Sequence, residues 1–476
     1  MNANVFLWRP QGKLLVGRLI RLPAGDQTLF ALDEHYLSMP NTERPLLSLS
    51  FLGVDGRPKQ QNRITSTKIH PWFANLLPEG HLRQYVADQH GFHAKRDFPM
   101  IVALGGDLPG GIIVESEGTD WASGYPNDRN AEPSDHEEAL LKFSLAGVQL
   151  KFSAVRAAKG GLTIPARGRG GSWIVKLPSE VYESVPENEY DMMRVAKKAG
   201  FDVPEIDLVE MRDIDSLPKG IRQERRAFVI RRFDRTEDGG RVHMEDFAQI
   251  FGLYPADKYG KISYGNIANA IHKSVGDAGL EEFVSRLVFN AAIGNGDMHA
   301  KNWSLLYQDG MPPELAPPYD FLSTLTYVQH QENMGLTIAG TKRFEDFSLS
   351  LLQRFAEKTG LPADLMIRAA KEAAERTLDA WADSRGDLAS PDIIVQAVDQ
   401  HMRSVPILQK AQRPKKLSVL QDAPSGQELA KPDTENTADD DFDETDALPN
   451  EAAMLWSDEG GSESASSVIR EDDDKR

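Results

Sequence analysis

The apolar residues of this 476-residue chain change their spacing near Gly240. Before Gly240, short alternating runs predict β-strands, with helical runs only at 70–90 and at Pro186–Ala199. After Gly240, apolar residues recur at helical spacing. The expected strands are 14–20, 46–51, 143–155, 172–177 and 227–233, and the expected helices are 244–251, 264–272, 280–293, 348–359, 362–382 and 391–405. This order predicts an α+β fold in which a strand-rich lobe precedes a helical lobe.

Composition divides the chain into four segments. A small mixed unit is expected at 1–115, and a stretch rich in Gly, Ser, Asp, Asn and Pro separates it from a strand-rich lobe at 139–240. A helical lobe is expected at 241–408. Hydrophobicity then drops, and the composition of 410–476 is typical of a disordered acidic tail.

The net charge of -18 is concentrated at the C-terminal end. Residues 421–476 contain 18 acidic and four basic residues, so the preceding 420 residues carry a charge of only -4. A nearly neutral body disfavours autonomous DNA binding, which requires a basic surface.

The absence of cysteine excludes disulfides, cysteine zinc sites and a thiolate nucleophile. Basic residues interrupt the apolar residues at the start of the sequence, and no apolar run approaches the length of a membrane span. We therefore expect no signal peptide, no membrane segment and a cytoplasmic location.

The segment NGDMHAKN (295–302) follows the helix expected to end near Ile293. Phosphoryl transfer needs a carboxylate that orients or deprotonates a hydroxyl nucleophile, together with oxygen ligands for magnesium. Asp297 and Asn302 would supply both from one loop. The alternative is a polar loop in which the aspartate caps a turn.

Two further segments support phosphate chemistry. Asp320, in PPYDF, would add a hard oxygen ligand for magnesium, although it could also be a simple turn residue. Lys176, in WIVKLP, is a charge in an apolar strand and should meet an anion such as the phosphates of ATP, unless the strand lies at a sheet edge. Glu189 could pair with Lys176, but an exposed position on a helix is the favoured interpretation.

Nine ordered blocks together resemble the HipA family of toxin kinases from bacterial toxin–antitoxin modules. The blocks are WFANLLPEG, SLAGVQLKFS, WIVKLP, ENEYDMMRVAKKAG, VIRRFDR, EDFAQIFGL, NGDMHAKNWS, PPYDFLS and MGLTIAGTKRFEDFS. The resemblance covers most of residues 1–405. The second block contains only one glycine, not the spaced glycines of a phosphate-binding loop. Its composition alone therefore predicts only a strand and a turn.

The resemblance implies a protein-kinase-like two-lobed fold with a small N-terminal subdomain, and ATP and Mg²⁺ as cofactors. Asp297 matches the catalytic aspartate, Asn302 and Asp320 match the metal ligands, and Lys176 matches the lysine that contacts phosphate. The remaining positions that match the nucleotide site are Ala146, Gly147, Val148, Gln149, Leu150, Lys151, Arg231, Arg232, Phe233, His299, Ala300, Lys301 and Tyr319. Leu150 departs from relatives that carry an acidic residue there, so its side-chain contacts are in question.

The function implied is that of a serine/threonine protein kinase toxin. Such toxins phosphorylate a translation component, for example an aminoacyl-tRNA synthetase, and autophosphorylate at the serine that Ser144 matches. The implied partner is a small helix-turn-helix antitoxin, through which operator DNA would be reached. Two alternatives stay open: a co-repressor module that only binds this partner, and a small-molecule kinase. A catalytically dead module has no chemical reason to keep all four of the residues matched to catalysis.

Overall fold

The computed structural model describes residues 2–22, 26–118, 151–156, 162–163, 170–179, 181–217, 225–308, 311–327 and 333–409. Its strands are β1 (Asn2–Leu7), β2 (Leu14–Arg21), β3 (Gln27–Leu32), β4 (Thr65–Ser66), β5 (Ile112–Ser116), β6 (Lys151–Arg156), β7 (Leu162–Thr163), β8 (Trp173–Lys176), β9 (Ile206–Glu210), β10 (Ile214–Asp215), β11 (Arg226–Arg231), β12 (His243–Asp246), β13 (Ser304–Tyr307), β14 (Glu314–Leu315), β15 (Asn333–Ile338) and β16 (Thr341–Arg343).

The helices are α1 (Glu34–Ser38), α2 (Pro71–Ala74), α3 (Gly80–His90), α4 (Asp97–Leu104), α5 (Val185–Lys198), α6 (Phe247–Ile250), α7 (Tyr264–Val275), α8 (Asp277–Ile293), α9 (Leu349–Thr359), α10 (Ala363–Ser384), α11 (Asp392–Ser404) and α12 (Pro406–Gln409). Single 3₁₀ turns lie at 49–51, 211–213, 255–257, 300–302 and 344–346.

Residues 2–118, called here the N-terminal unit, build their own core. An antiparallel sheet in the order β4-β3-β2-β1-β5 presents alternate side chains to one face, as β1 does with Ala3, Val5 and Leu7. These side chains join a cluster that includes Trp72 and Phe98 from the helices of the unit.

The second sheet runs in the order β10-β7-β6-β8-β11-β9 and is antiparallel except between β10 and β7. Both faces of β11 are covered. Phe228 and Ile230 enter the large core shared with the helices, whereas Ala227 and Val229 enter a smaller core on the opposite face. Its neighbour β8 is also an interior strand, so Lys176 does not lie at a sheet edge.

The helical lobe is organised around α8, which is buried along most of its length and contacts α7 and α10. It ends at Gly294, whose φ of +67° belongs to the left-handed region. A Cβ atom at this position would lie 2.5 Å from a Leu325 side-chain atom. The glycine therefore allows the chain to turn sharply into the loop 295–302.

Two sequence predictions of local structure are wrong. The helix predicted for 244–251 begins only after Asp246, because 243–246 pair with β13 as strand β12 and the capping box of Asp246 and Gln249 starts the helix. The strand predicted for 46–51 contains a 3₁₀ turn at Leu49–Phe51, with the side chain of Ser48 as its cap.

Glu245 joins the N-terminal unit to the rest of the protein. Its buried carboxylate accepts hydrogen bonds from Ser48 Oγ at 2.5 Å, Leu49 N at 2.9 Å and Trp72 Nε1 at 2.9 Å, all from the N-terminal unit. Tyr307 Oη donates a fourth bond at 2.6 Å. Among the residues that the structure describes, no helix is both long enough and apolar enough to cross a membrane.

Candidate active site

The loop 295–302 is ordered by its own amide side chains. Asn295 donates from Nδ2 to Asn290 Oδ1 at 2.7 Å and to Asp320 O at 3.2 Å, and its Oδ1 accepts from Asp297 N at 3.0 Å. Asn302 closes the loop by donating from Nδ2 to Asp297 O at 2.8 Å. These bonds bring the segments of Asp297 and Asp320 together at the end of α8.

The carboxylate of Asp297 is accessible, with 45% of its side chain exposed. The Tyr259 hydroxyl donates a hydrogen bond to Asp297 Oδ1. The Tyr259 ring packs edge-on against His299 with ring centroids 4.8 Å apart, and His299 Nε2 lies 4.0 Å from Asp297 Oδ1. Burial lowers the pKa of His299 to about 4, so its imidazole is neutral at pH 7.

Lys176 lies between two carboxylates. Its ammonium contacts Glu189 Oε1 from α5 and Asp320 Oδ1, and both Lys176 and Glu189 are almost completely buried. Burial alone would lower the pKa of Lys176, but Asp320 and Glu189 raise it above its usual value. Burial raises the pKa of Glu189. The expectation that Glu189 is exposed was therefore wrong, and Lys176 meets an anionic partner as its position in an apolar strand predicts.

Asp320 has a φ of +56°, a left-handed conformation that aspartate adopts more readily than most residues. Burial would raise the pKa of its carboxyl group, but Lys151 and Lys176 lower it well below the usual value. Lys151 Nζ is 3.5 Å from Asp320 Oδ2 and its side chain is 45% exposed. The carboxylate is therefore ionised at neutral pH and faces two cations.

Helix α5 is held by hydrogen bonds from residues on both sides of Glu189. The Asn188 amide donates to Ser323 O at 2.8 Å and accepts from Ser323 N at 3.0 Å, which holds the segment that follows Asp320. Asp191 accepts from Ala389 N at 3.0 Å and Ser390 N at 2.7 Å. Glu189 is thus held in place by neighbours on the same helix.

Lys301 contacts the N-terminal unit. Its ammonium lies 2.8 Å from Glu79 Oε1, and Lys258 Nζ lies 3.0 Å from Glu79 Oε2. Burial would raise the pKa of Glu79, but Lys301 and Lys258 lower it to about 2. Tyr319 donates to Lys301 O at 2.9 Å, and Ala300 N donates to Lys258 O at 3.2 Å.

The segment 231–233, which the resemblance matches to the nucleotide site, already uses two of its N–H groups. Arg231 N donates to Glu205 O and Arg232 N to Ser172 O, both at 2.8 Å. The Arg232 guanidinium is buried in ion pairs with Asp234 and with Asp107 of the N-terminal unit. The Phe233 ring packs near Tyr319, with centroids 5.6 Å apart. Ser144 and the loop positions Ala146, Gly147, Val148, Gln149 and Leu150 lie outside the described residues.

Comparisons with known proteins identify the family. The description "HipA N-terminal domain" matches residues 3–115, and "HipA-like C-terminal domain" matches 143–381. The protein "Putative kinase Y4dM" of Sinorhizobium fredii is 43% identical over 400 residues, covering 82% of this chain and 94% of the relative. The chain belongs to the HipA-like family.

Two matches come from Shewanella oneidensis. The "Serine/threonine-protein kinase toxin HipA" is 25% identical to the HipA-like chain over 354 residues, covering 67% of this chain and 78% of the toxin. A solved complex of HipA, HipB and operator DNA contains a chain that matches with a TM-score of 0.64 and 21% identity, over 86% of this chain and 96% of that one. The α+β, kinase-like fold predicted from the sequence is confirmed.

Tyr259 and Glu79 contact the loop 295–302 of this HipA-like chain, but no sequence pattern marked either residue. Glu79 lies within the WFANLLPEG block, which gave a signal for the segment but not for the residue. Tyr259 lies in a polar turn between α6 and α7, where no periodicity marks it. Both act across long sequence separations, and only the fold brings them to the loop.

The oxygen atoms at this site fit a hard cation. Asp320 is ionised, and the bond from Asn302 Nδ2 to Asp297 O leaves the side-chain oxygen of Asn302 as an acceptor. Within the described ranges, no three His, Cys, Asp or Glu side chains gather into a metal cluster. Mg²⁺ held here would need phosphate oxygens and water to complete its six ligands, as is usual for this ion.

Proposed function

We propose that this HipA-like chain is an ATP-dependent serine/threonine protein kinase and the toxin of a toxin–antitoxin module. The observation that carries the proposal is the position of Lys176, which is held on an interior strand by a helix glutamate and by Asp320. Protein kinases require a lysine paired with a helix glutamate, together with a metal-binding aspartate, for phosphoryl transfer. The relatives named as kinases support the same activity.

In the proposed reaction, the hydroxyl oxygen of the substrate bonds to the γ-phosphorus of ATP. The bond from that phosphorus to the β,γ-bridging oxygen breaks, and ADP leaves. Asp297 orients the hydroxyl and receives its proton, while Lys176 contacts the phosphates. Mg²⁺ held by Asn302 and Asp320 would neutralise charge on the phosphate oxygens.

The proposed substrate is a protein of the translation machinery, such as an aminoacyl-tRNA synthetase. The proposed partner is a helix-turn-helix antitoxin through which operator DNA is contacted. The presence of HipB and operator DNA in the matched Shewanella complex supports this arrangement. The nearly neutral charge of residues 1–420 agrees with DNA contact that depends on the partner.

We expect Asp297→Asn and Asp320→Asn each to lower phosphate transfer by about a hundredfold or more, because both roles need a charge rather than a shape. The assay incubates the full chain with labelled ATP, Mg²⁺ and a cell lysate and identifies the labelled protein. Near wild-type transfer by either variant would contradict the assignment. A label found only on a small molecule would favour a metabolite kinase, and wild-type protein without ATP turnover would favour the co-repressor module.

We also propose that Ser144 is autophosphorylated and that this switches the kinase off. A phosphate adds about -1.5 to -2 charges, which would repel ATP from a loop that holds its phosphates. We expect mass spectrometry after incubation with Mg-ATP to find phosphate on Ser144 in the wild type but not in Asp297→Asn. Phosphorylated protein that still binds ATP normally would refute the switch.

A further inference from the structure

Tyr259 contacts the carboxylate that the proposed reaction uses. We propose that Tyr259 is a positioning residue: its hydroxyl holds Asp297 Oδ1, so that Oδ2 is presented to the substrate hydroxyl. This inference rests on the proposed function, because it assigns Tyr259 a role only through Asp297. Among the described residues, Oδ1 accepts the Tyr259 hydrogen bond and Oδ2 accepts none.

The backbone around Tyr259 is hydrogen-bonded to the loop 295–302, called here the catalytic loop, and to the β15–β16 hairpin. Its neighbour Lys258 accepts a hydrogen bond from Ala300 N at 3.2 Å. Tyr259 O accepts from Lys342 Nζ at 3.1 Å, and Lys342 also donates to Gly335 O at 3.3 Å. The turn that carries Tyr259 is therefore anchored on both sides.

The same hairpin packs directly on the catalytic loop. A Cβ atom on Gly335 would lie 2.7 Å from the Met298 backbone, so only glycine permits this approach. Tyr264 Oη also donates to Met298 O, at 2.9 Å. Tyr259 and Asp297 are thus held by elements that pack on one another, which is what a positioning role requires. The block MGLTIAGTKRF, which the proposed chemistry does not use, forms this support.

The surroundings of Tyr259 and Asp297 keep the Tyr259 hydroxyl protonated, so that it can donate a hydrogen bond to the carboxylate. Burial and the neighbouring Asp297 raise the pKa of Tyr259 well above its usual value. A hydrogen bond to a carboxylate is stronger than one between neutral groups. The other titratable groups near Asp297, Tyr259 and their supporting elements are His299, Lys258, Lys301, Glu79, Lys342 and Asp320.

An alternative role for the same contact is to block the binding of the substrate hydroxyl. If the phenol occupied the place of the substrate hydroxyl, its removal would raise turnover. A positioning residue has the opposite effect, because a carboxylate that nothing holds samples other rotamers.

Tyr259→Phe tests the inference, with Tyr36→Phe as the matched control. Tyr36 also donates its hydroxyl to a protein acceptor, Pro45 O at 2.9 Å, but it lies in the core of the N-terminal unit. With the protein substrate identified by labelling, we expect kcat to fall at least about tenfold in Tyr259→Phe, the loss expected for a hydrogen bond to a charged group. The KM for ATP should stay within about twofold, because the residues proposed to bind the nucleotide are unchanged. Tyr36→Phe should change none of these.

Unchanged or increased kcat in Tyr259→Phe, beside an inactive Asp297→Asn, would overturn the positioning role and leave the proposed function intact. An active Asp297→Asn would overturn the proposed function itself. A crystal structure of Tyr259→Phe supplies a readout that needs no substrate. We expect Asp297 to occupy more than one rotamer there and one rotamer in Tyr36→Phe, and a single unchanged rotamer in both would count against the inference.

Discussion

Lys176 shows how much of this site depends on one charged side chain. It is the shared partner of Glu189 and Asp320, which come from a helix and from a loop far along the chain. A buried carboxylate without a partner is costly, because the low-dielectric interior does not replace its hydration. The lysine therefore has a structural role as well as the proposed contact with phosphate.

Lys176→Met tests the structural role. We expect this variant to lose about 3–5 kcal/mol in the free energy of unfolding, because Glu189 stays buried without its cation. Lys151→Met is the matched control. Lys151 also faces Asp320, but at 3.5 Å and with 45% of its side chain exposed, so its removal should cost less than about 1 kcal/mol. Denaturant titrations measure both, and equal losses in the two variants would contradict the structural role of Lys176.

At the scale of elements, the sequence predicted those helices and strands that the local pattern of apolar residues is enough to define. The apolar strand at 173–176 and the helices α5, α8 and α10 lie close to their predicted positions, because the apolar residues within each element are enough to mark it. The helix predicted for 244–251 failed at its start because pairing with β13, a segment about 60 residues away, overrides local propensity. Glu189 was misjudged for the same reason, since its partner lies on another element.

The turn before α3 carries a pH-sensitive contact between the N-terminal unit and the loop 295–302. Lys301 and Lys258 lower the pKa of Glu79 from its usual 4.5 to about 2. A lowered pKa in the folded state means that the contact stabilises the fold above pH 4.5, and that this stability is lost as the pH falls toward about 2. The carboxylate is partly exposed, so salt should weaken the effect.

We expect Glu79→Gln to be less stable than the wild type at pH 6 and to approach it as the pH falls through this range. Glutamine is uncharged at every pH, so the variant lacks the ion pairs throughout. The wild type loses them only when Glu79 is protonated. Denaturant midpoints of both proteins at several pH values measure the difference. A difference in denaturant midpoint that stays constant from pH 6 to pH 2.5 would show that the ion pairs of Glu79 do not cause this pH dependence.

At the scale of the whole molecule, the N-terminal unit is joined to the lobes by buried polar contacts. Glu245 receives three hydrogen bonds from that unit, and Arg235 reaches Asp107 at 3.0 Å. Such contacts are costly to break singly, because each leaves a buried partner unsatisfied. The sequence could place the unit at the N-terminal end but could not predict this interface. Glu245 and Arg235 lie in the blocks EDFAQIFGL and VIRRFDR, but a block does not indicate which distant residues its side chains contact. The division at 115, 139, 240 and 408 stays a prediction.

The segment after residue 420 should contribute little to the stability of this assembly. Its 18 acidic residues among 56 and its scarcity of apolar residues leave little surface to bury, whereas ordering a residue costs about 1–2 kcal/mol. We therefore expect a variant ending at residue 420 to melt at the temperature of the full chain. Calorimetry at low and high salt measures this, because contacts made by the acidic residues with the body would be screened at high salt. A lower melting temperature of the shortened chain at low salt, with the difference vanishing at high salt, would show that the segment docks on the body through its charge.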